Sequence, residues 1–95
     1  MIVVREFFIA KPGFASKLAA LFKEVTKIAG MKKTRVLTDV TGEFNKVVME
    51  TEFESLADLE ARLQEHMNNP VLKEKMKGYT DMYLTGGREI FRTWD

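Results

Sequence analysis

Two spacings of apolar residues alternate along the chain, one typical of strands and the other typical of helices. Residues 2–9 are mostly β-branched or aromatic and are followed by Pro12 and Gly13, which predicts a first strand and a turn. Across residues 14–29 apolar side chains recur at three- and four-residue steps. This spacing predicts a helix with one apolar face, and Gly30 is expected to end it.

Two more strand-like segments and a second helix follow in the middle of the chain. Residues 33–40 and 46–53 are predicted strands, and the short glycine-containing loop between them predicts an antiparallel hairpin. Ser55 is a predicted N-cap, with Asp58 three positions later to complete a capping box. The helix that begins there is expected to end near Asn68.

The last part of the chain combines a third helix with a final strand. Asn69 and Pro70 suit the N-cap and the first position of a helix, and Gly78 is expected to kink or split it. We expect Gly86-Gly87 to end this helix and residues 88–94 to form the last strand.

The resulting order, β-α-β-β-α-(α)-β, predicts an α+β fold of ferredoxin-like type. In this fold an antiparallel four-stranded sheet carries its helices on one face. A length of 95 residues fits one such unit, so residues 1–95 are expected to form a single domain.

The second face of the predicted sheet has no cover within one chain. Strand one is apolar on both sides, with Val3 and Phe7 on one and Val4 and Phe8 on the other. A strand that is apolar on both sides is normally covered on both sides. We therefore expect a homodimer, a dimeric α/β barrel in which two sheets pack face to face around a cavity that holds a small organic ligand.

Charge and composition exclude several classes of function. The chain carries 15 Lys and Arg against 14 Asp and Glu, and the two signs are interleaved, so a nucleic-acid partner is not expected. The absence of cysteine excludes disulfides and thiolate chemistry. The sequence predicts no secretory leader, no membrane span and no phosphate-binding glycine loop. No membrane partner and no nucleotide cofactor are therefore expected, and the predicted location is cytoplasmic.

His66 is the first candidate for chemistry because it is the single histidine of the chain. Its imidazole can exchange a proton near neutral pH, and a lone histidine rules out a multi-histidine metal site. The alternative is a structural histidine that complements the dipole at the end of the second helix.

Charged and aromatic side chains near the predicted sheet supply the other candidates. Glu50 and Glu52 share the face that a partner would cover, where Arg88 or Arg92 of the last strand is expected to reach them. They form either an interface ion-pair network or a catalytic pair, and a carboxylate metal site is a third, weaker alternative. Tyr79, Tyr83, Phe91 and Trp94 line a ligand cavity or belong to the core, and Trp94 is placed to dock on a partner.

Two local motifs and the element order resemble the dimeric α/β-barrel superfamily, above all the small cofactor-free monooxygenases of antibiotic-biosynthesis type and NIPSNAP-like domains. The motifs are Lys11-Pro12-Gly13-Phe14 before the first helix and residues 66–72, His-Met-Asn-Asn-Pro-Val-Leu, between the second and third. In that family the second segment borders a cavity between helices and sheet. The resemblance implies oxidation of a small aromatic or oxidised organic molecule without a cofactor. The alternative is a ligand-binding or interaction module without catalysis.

A haem-degrading branch of the same superfamily has residues that this chain lacks. The positions of its strand Asn, its Trp and its His correspond here to Arg5 or Glu6, to His66 and to Met76. Haem is therefore not expected as a cofactor, and no metal is predicted. Combined with the charges and aromatics above, the resemblance implies His66 and Glu50 as catalytic residues, and as substrate-binding residues Arg5, Glu52, Tyr83, Arg92 and Trp94.

Overall fold

The computed structural model describes residues 1–94. Its elements follow the order β-α-β-β-α-α-β, with a short 3₁₀ helix before the last strand: β1 Ile2–Ala10, α1 Ala15–Ile28, β2 Thr34–Thr38, β3 Lys46–Phe53, α2 Leu56–Met67, α3 Pro70–Lys75, the 3₁₀ helix Tyr79–Met82 and β4 Tyr83–Arg92. No helix within this range is long and apolar enough to cross a membrane.

The strands form one antiparallel sheet in the order β2-β3-β1-β4. The first and third strands lie side by side at the centre, as expected when a helix follows each of them and packs on the same face. The predicted α+β, ferredoxin-like fold is confirmed.

The local signals for helix ends are also confirmed. The Ser55 hydroxyl accepts a hydrogen bond from the backbone N–H of Asp58 at 3.1 Å. The Asn69 side chain accepts hydrogen bonds from the backbone N–H groups of Val71 and Leu72, at 3.0 and 3.3 Å. Gly30 follows α1 with a left-handed φ of 69°, a conformation that glycine adopts without strain.

The prediction for the region after Gly78 is partly wrong. Gly78, with a φ of 82°, separates the short helix α3 from the 3₁₀ helix, so the predicted split is present. The last strand, however, begins at Tyr83 instead of residue 88, and Gly86-Gly87 lies inside it, opposite Phe8 and Phe7 of β1. A Cβ atom on Gly86 would lie 2.6 Å from the Phe7 carbonyl oxygen, and one on Gly87 would lie 2.8 Å from the Phe7 ring. These glycines make room for aromatic neighbours and do not end a helix.

The helix-covered face of the sheet contains the buried core. Alternate residues of β1 and β3 face the helices, and α1 contributes Leu18 and Phe22, both fully buried. The ring centroids of Phe22 and Phe8 are 4.8 Å apart, and that of Tyr83 is 5.0 Å from Phe8. The core positions predicted for β3 are confirmed: Val47, Thr51 and Phe53 are buried and Met49 is half-buried.

The other face of the sheet has no helix on it, and we call it the open face. It carries the opposite parity of each strand, with Val3, Arg5 and Phe7 on β1 and Val48 and Glu50 on β3. These side chains are half-buried or exposed although several are apolar. The open face thus mixes apolar rings and methyl groups with charges of both signs.

Candidate functional site

The candidate site is a cavity of about 360 Å³ between the sheet and helices α2 and α3. This volume falls at the lower end of the range typical of small-molecule sites. Most of the lining is apolar and comes from several elements, including Val25, Met31, Met49, Phe53, Leu63 and Met76. The cavity is open on one side, so a ligand can enter from solvent.

His66 lies in the last turn of α2 and lines this cavity. Its Nε2 atom is buried and has no hydrogen-bond partner among residues 1–94. Burial lowers the pKa of His66 below its ordinary value of 6.5, and the nearby charge of Arg62 lowers it further. Glu65 and Glu6 partly oppose this lowering. The imidazole is therefore mainly neutral at pH 7, and its Nε2 atom is unpaired among residues 1–94.

An ion pair on the sheet provides the polar part of the opposite wall. Glu6 of β1 and Arg88 of β4 are direct neighbours across the two strands, and both line the cavity. The Arg88 Nη2 atom donates a hydrogen bond to Glu6 Oε2 at 3.2 Å. Glu6 stands in the core-facing parity of β1, between Val4 and Phe8, so the strand pattern aims a carboxylate at the helix side.

Tyr79 of the 3₁₀ helix closes the cavity beside α3. Its ring lies 5.7 Å from that of Tyr83 and 6.4 Å from that of Phe22, measured between centroids. Burial raises the pKa of Tyr79, and Tyr83 beside it contributes in the same direction. The phenol is therefore a neutral group with a hydroxyl at the edge of an aromatic cluster.

Glu50, the predicted catalytic partner of His66, lies on the open face and outside this cavity. Arg5 donates to its Oε2 at 2.8 Å and Arg35 donates to its Oε1 at 2.7 Å. These hydrogen bonds, the one from Arg35 first, lower the pKa of Glu50. Both carboxylate oxygens are occupied, and the sheet separates them from His66, so one chain does not bring the two residues together.

The other predicted substrate-binding residues are scattered over the molecule. Glu52 is exposed on the open face, and Tyr83 packs in the core against Phe8. Arg92 is exposed near the end of β4, and Trp94 is fully exposed beyond that strand. None of these four residues lines the cavity around His66.

Sequence reasoning missed the two charged residues that the sheet contributes to the cavity wall, and it left two alternatives open for Tyr79. The sequence singles out Glu6 only as the counterpart of a haem-branch position, and it predicts Arg88 on the opposite face. Tyr79 was weighed as a cavity or core aromatic, and it contacts both. A charged residue at a core-facing position of an apolar strand was the signal that could have identified Glu6.

Metal ligands do not cluster in the described part of the chain. Among residues 1–94, no three His, Asp or Glu side chains come close enough together to hold a metal ion. The polar groups of the cavity are instead suited to an organic ligand, because they are few and stand on an apolar background.

Comparison with solved structures places this fold among known ones. A NIPSNAP family protein from Agrobacterium tumefaciens has a TM-score of 0.86 and 13% sequence identity, over 99% of this chain and 93% of that one. A NIPSNAP domain protein from Burkholderia xenovorans has a TM-score of 0.83 and 11% identity, over 99% and 95%. A candidate antibiotic biosynthesis monooxygenase from Deinococcus radiodurans has a TM-score of 0.72 and 11% identity, over 100% and 94%.

These likenesses confirm the predicted resemblance at the level of the fold. At 11–13% identity they show a shared ferredoxin-like architecture alone. No protein-family model matches the sequence, and the search of curated proteins found no match.

Proposed function

We propose that this protein is a cofactor-free, monooxygenase-like enzyme that acts on a small aromatic molecule in the cavity beside α2 and α3. The observation that carries the proposal is the buried Nε2 atom of His66, which has no partner in residues 1–94 and belongs to a residue that lines an apolar cavity. A buried polar atom without a partner is unfavourable unless a ligand or a water supplies one. The fold shared with a candidate monooxygenase from Deinococcus radiodurans supports the same proposal.

The proposed chemistry requires a base and an apolar site, and it requires no cofactor. His66 removes a proton from an acidic C–H or O–H group of the substrate, and the resulting anion donates electrons to dioxygen. Conversion of a CH₂ group to a carbonyl then balances: one oxygen atom enters the product, the other leaves as water, and the substrate supplies all four electrons. The mostly apolar lining of the cavity suits the aromatic body of such a substrate.

The test uses anthrone, a flat ketone with an acidic CH₂ group, and follows its oxidation to anthraquinone under labelled dioxygen. His66→Ala and His66→Gln are expected to lower turnover about 100-fold, within the usual range for loss of a general base. Ser16→Ala, an exposed position on α1 outside the cavity, is the matched control and should keep full turnover. Equal turnover in the parent protein and the His66 variants would contradict the proposal and would favour a binding module without catalysis.

We also propose that the open face pairs with the open face of a second copy. Val3, Phe7 and Val48 leave apolar surface there, around the ion pairs that Glu50 forms. The face also has carboxylates without an ion pair among residues 1–94: Glu52, near the exposed guanidinium of Arg35, and Glu89, opposite Arg5 on β1. A two-fold axis would bring charges of opposite sign together across two copies of this surface.

The oligomeric state in solution tests this second proposal. A dimer should have twice the chain mass of 10.9 kDa in light scattering, and Val48→Lys should convert it to a monomer. Leu56→Lys adds the same charge at an exposed apolar position of α2 and should leave the dimer intact. A parent protein that is monomeric at high concentration would exclude this interface.

A further inference from the structure

The charges that line the His66 cavity are unbalanced. Among residues 1–94, three cations contribute to the wall, Arg62, Lys73 and Arg88, whereas Glu6 is the single carboxylate. Glu65 lies outside the cavity and holds Arg62 in a loose ion pair of 3.5 Å. Lys73 and Arg88 therefore face one carboxylate, and the cavity as a whole favours a negatively charged ligand.

Arg88 is the cation best placed to bind such a ligand. Its Nη2 atom makes a single, long hydrogen bond of 3.2 Å to Glu6, and the described chain provides no other side-chain partner for it. A guanidinium has five N–H donors in a planar fork, so most of its donors are still available. Two parallel N–H donors match the two oxygens of a carboxylate, and such bonds are stronger than those between neutral groups.

The apolar part of the cavity favours an aromatic body for the ligand. The thioether side chains of Met31, Met49 and Met76 line it together with the ring of Phe53. Thioethers are polarisable, adapt their shape, and make favourable contacts with aromatic rings. Arg88 on the sheet and His66 on α2 line the same cavity, so a ring among these side chains would share the cavity with both residues.

From this arrangement we infer that the cavity selects an aromatic carboxylate, with the ligand's carboxylate on the guanidinium of Arg88 and its ring among the methionines. The inference rests on the proposed function only in placing the ligand in the same cavity as His66. It adds a positioning residue, Arg88, and a regulator of that residue, Glu6, which competes with the ligand for the guanidinium.

The experiment compares 2-naphthoate with its neutral amide, 2-naphthamide, by calorimetric titration at pH 8. We expect the parent protein to bind the carboxylate at least about 10-fold more tightly than the amide, as charge-assisted hydrogen bonds imply. Arg88→Gln should remove this preference. Glu6→Gln should strengthen naphthoate binding about threefold or more, because it frees Arg88 and removes the one carboxylate of the wall.

Matched variants separate a specific role from a general effect of charge. Lys23→Gln removes a positive charge from an exposed position of α1 outside the cavity and should leave the preference unchanged. Arg88→Lys keeps the charge but loses the fork, and should retain only part of the preference. If Arg88→Gln does not fold, the parent comparison and Glu6→Gln still decide the question, because neither depends on that variant.

Several outcomes would overturn the inference. Equal binding of naphthoate and naphthamide, binding of neither probe, or an unchanged preference in Arg88→Gln would each exclude selection by this guanidinium. An equal loss in Lys23→Gln would reduce the effect to net charge. His66→Ala should keep the preference for naphthoate, so its effect on anthrone turnover reports separately on the proposed function.

Discussion

The two faces of the sheet differ in how their polar side chains are paired. On the open face, Glu50 is held by Arg5 and Arg35, and both of its oxygens accept hydrogen bonds. On the helix side, the Nε2 atom of His66 is buried and has no partner among residues 1–94, and Arg88 donates one N–H group to Glu6. Both carboxylate oxygens of Glu50 are thus occupied within the described chain, whereas His66 and Arg88 keep polar atoms that no described side chain occupies.

This difference separates residues that are paired at a surface from the residues on which the proposed ligand site depends. Closed ion pairs at an exposed surface contribute little to stability and fix the relative positions of neighbouring strands. An unsatisfied polar atom in an apolar cavity is unfavourable in the free protein, and the right ligand removes that penalty on binding. Glu50, the carboxylate predicted to be catalytic, belongs to the first kind.

The largest effect on stability is expected when a buried aromatic ring of the core is removed. Phe22→Ala deletes a buried ring that packs on Phe8 and Tyr79, and should lower the free energy of unfolding by about 3–5 kcal/mol. Phe44→Ala, in the exposed loop between β2 and β3, is the control and should change it by less than about 0.5 kcal/mol. Denaturant titration measures both, and similar losses would show that the core does not lie where the structure places it.

A smaller effect on stability is expected from breaking the ion pairs of Glu50 on the open face. Glu50→Gln leaves Arg5 and Arg35 close together without the carboxylate between them, and should lower Tm by less than about 5 °C at pH 7. Because the folded-state pKa of Glu50 is lowered, the carboxylate stabilises the fold above its ordinary pKa of 4.5, and this contribution is lost as the pH falls through the folded-state value. The Tm difference between parent and variant should therefore shrink in acid.

A double-mutant cycle sharpens this prediction. Arg35→Gln alone and combined with Glu50→Gln should show coupling between the two positions at pH 7 and little coupling near pH 2. Coupling that does not depend on pH would mean that the ion pair is not its source.

The smallest effect is expected from the pH dependence of His66. Its folded-state pKa lies below 6.5, so the unfolded chain takes up a proton more readily, and stability falls as the pH drops below 6.5. The charges that act on it come from α2, through Arg62 and Glu65, and from β1, through Glu6, while Lys73, Tyr79 and Arg88 line the same cavity. His66→Gln cannot gain this proton and should show a smaller decrease in Tm between pH 7 and pH 5.

Thermal denaturation at both pH values measures this difference. The same decrease in parent and variant would show that His66 is not buried in the way described. A larger decrease in His66→Gln would reverse the sign and indicate that the protonated imidazole is stabilised by Glu6 or Glu65.

Most of the fold could be predicted because its signals are local. The caps at Ser55 and Asn69 and the glycine after α1 each act within a few residues, and each was predicted correctly. The start of β4 depends on contacts with β1, about 80 residues earlier in the chain. The four-residue spacing of Tyr79 and Tyr83 resembles that of a helix, and nothing local reveals that the glycines after them lie against Phe7 and Phe8.

The candidate site could be predicted only in part for the same reason. His66 was identified because the chain has one histidine and its neighbours resemble a known segment. Glu6 and Arg88 become neighbours only through the pairing of β1 with β4, whose start was misplaced by five residues, from Tyr83 to residue 88. The correct register places this charged pair on the core-facing side of the sheet, where charged side chains are rare and therefore indicate a specific role.

The two adjacent glycines of β4 lie on opposite faces of the sheet. Gly86 pairs with Phe8 and faces the helices, whereas Gly87 pairs with Phe7 on the open face. A larger side chain at Gly86 would press on the backbone of Phe7 and on the core ring of Phe8. A larger side chain at Gly87 would displace the ring of Phe7 on the open face. Substitutions at these two neighbouring positions are therefore expected to disturb opposite faces of the sheet independently of each other.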